Sequence, residues 1–385
     1  MIAIRRPSAG RVLLWLLVLA GAAAVTIRFA GGLGAVTHLS DQFPWGVWIG
    51  FDVMVGVALA AGAFTLNATV HLFHLDRYGG LLRPAVLTGF LGYLMVIIAL
   101  LVDLGRPWNI WHPIIMWNPH SVMFEVAWCV MLYTAVLGLE FGQAVLERLR
   151  LWRLLQIARM SIGPLVVAAV ILSTLHQSSL GSLFLIAPGK LHPLWYTALL
   201  PVLFFISAVA VGLAMATVEA AAAARLFRHR LDLPVLVGLS RATLIILTVY
   251  LGLKVLDIAV RGAWTALFVP GVERLMFGLE MGVGVILPLL LLSVNHFSRS
   301  APGITLASAL VVVGVVLNRL NVAVTGMLGS SGALYVPAWT EVLITVSIVA
   351  AGILAYLWVM EHLPIGPPHG PRPVDGPNGA PWEMA

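Results

Sequence analysis

The sequence predicts an all-α integral membrane protein with about ten transmembrane helices, and three observations predict it. Of 385 residues, 61% are hydrophobic and only 10% are charged, where a soluble domain carries about a quarter charged residues. The apolar residues fall in runs long enough to cross about 30 Å of hydrocarbon. The Lys and Arg residues gather between those runs, which is a topology signal. It also removes nucleic acid as an explanation of the net charge of +6.

Ten runs can be counted: about 12–30, 47–71, 84–104, 120–146, 161–180, 192–220, 234–260, 273–296, 302–323 and 338–362. The first follows Arg5, Arg6 and Arg11 and has the flanks of a signal peptide. Its apolar stretch is long and no small-residue cleavage site is clear, so it reads as a retained span. An even number of spans puts both termini on one side. The loops of that side hold most of the arginines, among them Arg77, Arg83, Arg148, Arg150, Arg153, Arg159, Arg228 and Arg230. The positive-inside rule therefore makes both termini cytoplasmic, in a bacterial inner membrane. The expected organisation is one polytopic domain, 1–363, with a Pro/Gly-rich cytoplasmic tail, 364–385.

An internal echo divides the spans further. "LVDLGRP" and "VLDIAVRG" each end an outward-going helix with an aspartate, Asp103 or Asp257, followed by Arg106 or Arg261; about twenty residues later an inward-going helix opens with "MFE" or "MFGLE". As a repeat, it gives two parallel four-helix bundles, 47–180 (spans 2–5) and 192–323 (spans 6–9), flanked by spans 1 and 10. Repeats that share an orientation are not those of an inverted-repeat carrier.

Ionisable residues inside a span cost about 2.5 to 3.5 kcal/mol on insertion scales, so each is a functional candidate. Asp52, Asp103, Glu125, His176, Gln177, Lys254, Asp257, Glu280, Arg319 and Glu341 belong to the outer half; His71, Glu140, Glu219 and His296 belong to the cytoplasmic half. Three readings compete for the outer group. It can be a set of ion pairs that fix helix packing: Asp103 with Arg106, Asp257 with Lys254 or Arg261, Glu280 with Arg319. It can be a site for a quinone, whose ring needs donors and a proton source; His176 and Gln177 suit that. It can be a cation or solute pathway, as in a secondary transporter.

The single cysteine, Cys129, excludes cysteine-ligated zinc or iron-sulfur centres within one chain. No metal site is expected. Haem b needs two histidines facing each other at one depth; His71 and His296 could meet, but with His74 they adjoin loops, where a solvated face is the commoner explanation. Trp45, Trp48, Trp108, Trp111, Trp195 and Tyr196 read as an interfacial belt whose loops could also receive a peripheral subunit.

"FPWGVWIGFDVMVGVALAAGAF" from Phe43, "DLGRPWNIWHPIIMWNPHSVMFEVAWCVMLYTAVLGLEF" from Asp103, "LSTLHQSSLGSLFLIAPGKLHPLWYT" from Leu172 and "NRLNV" from Asn318 resemble the NrfD/polysulfide-reductase membrane-subunit family. Within it they are most similar to the HybB-like branch, which serves nickel-iron hydrogenases of the hydrogenase-2 type. The likeness runs through essentially all ten spans. It implies paired four-helix bundles, a quinone site near the periplasmic face, no haem or iron-sulfur centre on this chain, and a docked ferredoxin-like iron-sulfur subunit together with the hydrogenase small and large subunits. The matched positions then suggest a quinone site (menaquinone or ubiquinone) of Asp52, Asp103, Glu125, His176 and Gln177, and a proton route drawing on Glu140, Glu219, Asp257 and Glu280. On this reading the chain is one subunit of a hydrogen:quinone oxidoreductase, inactive alone. The alternatives are a multihaem-cytochrome or molybdoenzyme complex of the same family, or a transporter.

Overall fold

The computed structural model describes residues 9–187, 189–227, 231–332, 335–363 and 365. Arg5, Arg6, Arg228, Arg230 and the tail from 364, apart from Ile365, lie outside them. Ten helices are long and apolar enough to span a membrane: α1 Ala9–Gly31, α2 Trp48–Leu72, α3 Asp76–Asp103, α4 Val122–Arg148, α5 Ile162–Leu183, α6 Leu200–Leu226, α7 Leu233–Val260, α8 Val272–Ser293, α9 Ala301–Ser331 and α10 Trp339–His362. No strand occurs among the described residues. The all-α membrane fold class therefore holds.

Local sequence explains where several helices start. Ser121, Asp232 and Ser300 accept the backbone N–H of Phe124, Val235 and Gly303 and so cap α4, α7 and α9. Pro234 and Pro302 stand in the first turns of α7 and α9, where a proline loses no helical hydrogen bond. Helix α9 runs on to Ser331, past the apolar run that ends near 323, because a π-helical turn, Asn321–Thr325, absorbs the polar "NRLN" stretch without ending the helix.

Helices α2, α3, α4 and α5 pack on one another, as do α6, α7, α8 and α9; α6 also lies against α2 and α5, and α10 joins α1 to α3. Small residues make the closest approaches. A Cβ on Gly314 would stand 2.2 Å from the Cα of Gly284, so α8 and α9 touch backbone to backbone. Between α6 and α2, a Cβ on Gly212 would meet the Ala61 backbone at 2.9 Å. An ion pair between Arg11 and Glu361 ties the start of α1 to the end of α10, so both described ends of the chain lie at one end of the bundle.

Two polar groups at the opposite end

Away from the chain termini lie two separate groups of polar side chains, one at the opposite end of the bundle and one deeper, toward the middle of the spans. The first lies between α2, α3 and the two flanking helices. Thr345 Oγ1 of α10 donates to Asp52 Oδ2 at 2.8 Å. Asp52 sits within a π-helical stretch, Trp48–Val55, a form that recurs at functional sites. Buried Arg28 of α1 donates to the carbonyls of Val102 at 2.7 Å and Leu104 at 2.5 Å, on either side of Asp103. Asp103 is thus within electrostatic range of Arg28, Glu341 and Asp52. Glu341 has no accessible surface; it accepts from His38 N at 2.7 Å, from Ala338 N at 3.1 Å and from the Tyr335 hydroxyl. Burial and then this carboxylate push the Tyr335 phenol up from its ordinary pKa, which keeps it a donor.

The second group lies inside α2–α5. His176 has no accessible surface, and both its ring nitrogens lack a hydrogen-bond partner. Its ring stands edge-on to Tyr93 at 5.5 Å, and Tyr93 stands edge-on to Tyr133 at 4.7 Å. The Tyr93 hydroxyl and Gln177 Oε1 are likewise buried and unpaired, the Tyr133 hydroxyl faces Ser173 and the Phe64 backbone, and Gln177 Nε2 donates to Val57 O at 3.1 Å. Buried polar atoms are nearly always bonded. A run of them without partners is a place for water or for a polar ligand. At the chain-terminal end of α4, Glu140 holds Asn67 Nδ2 at 2.8 Å through one oxygen and leaves Oε1 unpaired. Glu140 also lines a cavity of about 320 Å³ with His71, Arg83 and Arg159.

The five residues expected to form a quinone site therefore divide. Asp52 and Asp103 belong to the first group, His176 and Gln177 to the second. Glu125 belongs to neither interior: it is exposed in the first turn of α4 and accepts from Ser179 at 2.6 Å. Its place in the first turn puts the carboxylate by the free N–H groups of the helix N-terminus, which stabilise it without burial.

The four residues named for a proton route also divide. Glu219 on α6 accepts from Thr88 Oγ1 of α3 at 2.7 Å and lies, like Glu140, toward the chain-terminal end. Asp257 and Glu280 lie toward the other end and have saturated partners. Asp257 takes two hydrogen bonds from Arg261, at 3.0 and 2.6 Å, and one from Thr197 at 2.5 Å. Glu280 accepts from Trp195 at 2.8 Å, Asn318 at 2.8 Å and Asn321 at 2.9 Å.

Two pairing expectations are corrected here, and Asp257, expected to pair with Lys254 or Arg261, pairs with Arg261. Arg319 does not pair with Glu280; Asn318 stands between them, donating to Glu280 and accepting from Arg319 at 2.6 Å. Arg319 stacks on Phe204 at 3.6 Å and donates to Ser207 at 2.9 Å. Asp103 makes no ion pair with Arg106, which is exposed, because Arg28 arrives from α1 instead. Buried Lys254 makes no ion pair with Asp257; its ammonium lies 5.7 Å from the Phe277 ring centre. The belt reading fails for Trp195 and Trp48, which are buried and donate to Glu280 and to Glu341 O. Trp108, Trp111 and Trp117 are exposed.

Sequence reading missed Tyr93, Tyr133, Ser173, Tyr335 and His38. Tyrosine counts as apolar in a hydropathy scan, and only the fold places these beside a carboxylate or a histidine.

An all-helical chain with ten membrane-length helices and a buried histidine and carboxyl oxygen left unpaired between them is a polytopic membrane protein. The chain belongs to the family described as polysulphide reductase, NrfD, which it matches over residues 35–329. A protein of Nitratidesulfovibrio vulgaris is 38% identical over 92% of this chain and 94% of its own length. The probable Ni/Fe-hydrogenase 2 b-type cytochrome subunit of Escherichia coli is 31% identical over 89% of this chain and 88% of its own. The integral membrane subunit of a menaquinone reductase from N. vulgaris is 34% identical over 42% of this chain and 39% of its own.

The E. coli relative is called a b-type cytochrome subunit, which raises haem, so the donor set is the test. A bis-histidine site needs two facing imidazoles. Among the described residues His176 is the one histidine buried in a span, and its ring contact is Tyr93. His296 is exposed and His71 lines the cavity beside Glu140. These residues do not fit bis-histidine ligation. No group of three or more His, Cys, Asp or Glu side chains that could hold a metal ion occurs among the described residues.

Proposed function

We propose that this chain is the quinone-reactive membrane subunit of a bacterial respiratory complex, passing electrons between a periplasmic iron-sulfur subunit of a nickel-iron hydrogenase and menaquinone or ubiquinone in the membrane. The observation that carries the reading is His176, wholly buried with two unpaired ring nitrogens and packed edge-on against Tyr93, whose hydroxyl is unpaired too. Such a group has the chemistry to hold and exchange a proton near a carbonyl. The relatives named as a hydrogenase subunit and a menaquinone reductase subunit point the same way.

The quinone supplies two-electron chemistry that takes up two protons. The chain's residues supply the rest. Asp52, Asp103, His176 and Gln177 orient the ring and hold protons at the end away from the chain termini, with Glu125 at its rim. Glu140 and Glu219 take protons up at the other end. Asp257 and Glu280 belong to the second half of the route. The end carrying Arg77, Arg83, Arg148, Arg153 and Arg159 is cytoplasmic by its charge. The opposite loops, with exposed Trp108, Trp111 and Trp117, receive the iron-sulfur subunit, since exposed aromatic residues beyond the hydrocarbon suit an interface. We read the packing as two four-helix units, 47–180 and 192–323, within a domain over 1–363. No haem is assigned to the chain.

The menaquinone reductase relative favours a second reading that keeps the quinone site and changes the electron donor. Purification of the tagged chain from native membranes, with identification of bound subunits and a hydrogen-dependent quinone assay, separates the two. A nickel-iron hydrogenase and quinone turnover support the first; another redox enzyme supports the second. A chain that purifies alone and exchanges solute in liposomes overturns both in favour of a transporter.

A further inference from the structure

A groove of about 430 Å³ runs between α2, α3, α6 and α10, and no role has been given to it. On α6 its lining extends from Met215 to Leu226, a rise of about 16 Å, so it runs along the spans inside the hydrocarbon region. Its walls are almost wholly aliphatic. Two carboxyl groups open into it at different depths, Asp52 with Thr345 toward one end and Glu219 with Thr88 toward the other. The Tyr356 hydroxyl also borders it and faces the Glu219 carboxyl. None of the residues lining it is Lys, Arg or His.

We infer that this groove binds the prenyl chain of a quinone, with the ring at the Asp52 end. The inference rests on the quinone reading above and specifies how the molecule enters and lies. Charge selects the occupant. A phosphate head would meet two carboxyl groups and no cation, so a phospholipid drawn in to this depth is repelled. A quinone ring is neutral, carries only carbonyl or hydroxyl groups, and can bond a carboxyl or phenol inside hydrocarbon. An acyl chain entering alone keeps its polar atoms at the membrane surface and offers Asp52 nothing beyond its bond to Thr345. Because the groove borders α10, the tail lies on the flanking side of α2 and the interior group around His176 lies on the other side. Gln177, bonded to Val57 O, connects the two sides through α2.

Tail-length dependence in the intact complex tests this. Ala223→Phe narrows the groove far from Asp52, one helical turn beyond Glu219, and the tail-less quinone controls for any effect on that carboxyl. It is expected to lower the ratio of kcat/KM for a long-prenyl quinone to that for the same ring without a tail by about tenfold, the scale on which an apolar pocket discriminates. An unchanged ratio overturns the groove while leaving the quinone reading intact. A native complex that reduces neither quinone overturns the reading itself. Should the variant fail to assemble, the unaltered complex is labelled with a prenylquinone bearing a diazirine on its tail. Labelling of α6 and α10 that excess long-prenyl quinone suppresses supports the inference. Labelling elsewhere, or of these helices only by a diazirine phosphatidylethanolamine, contradicts it.

Discussion

At the scale of single residues, the structure separates side chains with saturated partners from those held open. Glu280 is of the first kind, with three neutral donors on its two oxygens. Replacing it by leucine strands Trp195, Asn318 and Asn321, and each unpaired buried donor costs about 1–3 kcal/mol. We therefore expect Glu280→Leu to lower the melting temperature of the detergent-solubilised complex sharply and Glu280→Gln to recover most of it; equal losses would contradict the packing role. Tyr335 joins Val47 N, at 3.0 Å, to Glu341. Tyr335→Phe removes both bonds, and a melting temperature unchanged by it would show that the α2 and α10 ends are held otherwise. His176 and Glu140 are of the second kind. Their open valences cost stability, which is the mark of groups kept for function.

At the scale of helices, backbone contact decides how the bundle closes. The Gly284–Gly314 approach leaves no room for a side chain. Gly314→Val is expected to force α8 from α9 at about 1–3 kcal/mol, the usual cost of overpacking, and to reduce the yield of assembled complex. Normal yield with an unchanged melting temperature would mean that the helices do not touch there. The π-helical stretches Trp48–Val55, Gly282–Ile286 and Asn321–Thr325 adjoin Asp52, Glu280 and Arg319 in turn. Each inserts an extra residue into a turn and shifts the face that the following side chains present. A strict 3.6-residue reading cannot anticipate that shift.

At the scale of the molecule, the ten spans were legible because charge is so scarce that every apolar run stands out. Asp52, His176 and Glu140 were legible for the same reason, as polar exceptions in such runs. Their partners were not. Arg28 reaches the end of α3 from α1, and Thr345 reaches Asp52 from a helix nearly 300 positions away; no local pattern encodes either. Topology can be tested through the buried single cysteine, Cys129. In a Cys129→Ala background, Thr265→Cys is expected to react with an impermeant maleimide in intact spheroplasts, and Ser161→Cys only after lysis. The reverse pattern would invert the orientation and with it the partner face.

The measurement that bears most directly on the account is hydrogen-dependent quinone reduction by the purified complex carrying His176→Ala. The account predicts a fall of at least about 100-fold, the lower range for loss of a group that moves a proton in the rate-limiting step, with subunit composition unchanged. Wild-type turnover in an assembled His176→Ala complex would contradict it and would remove the buried histidine from the quinone's proton chemistry.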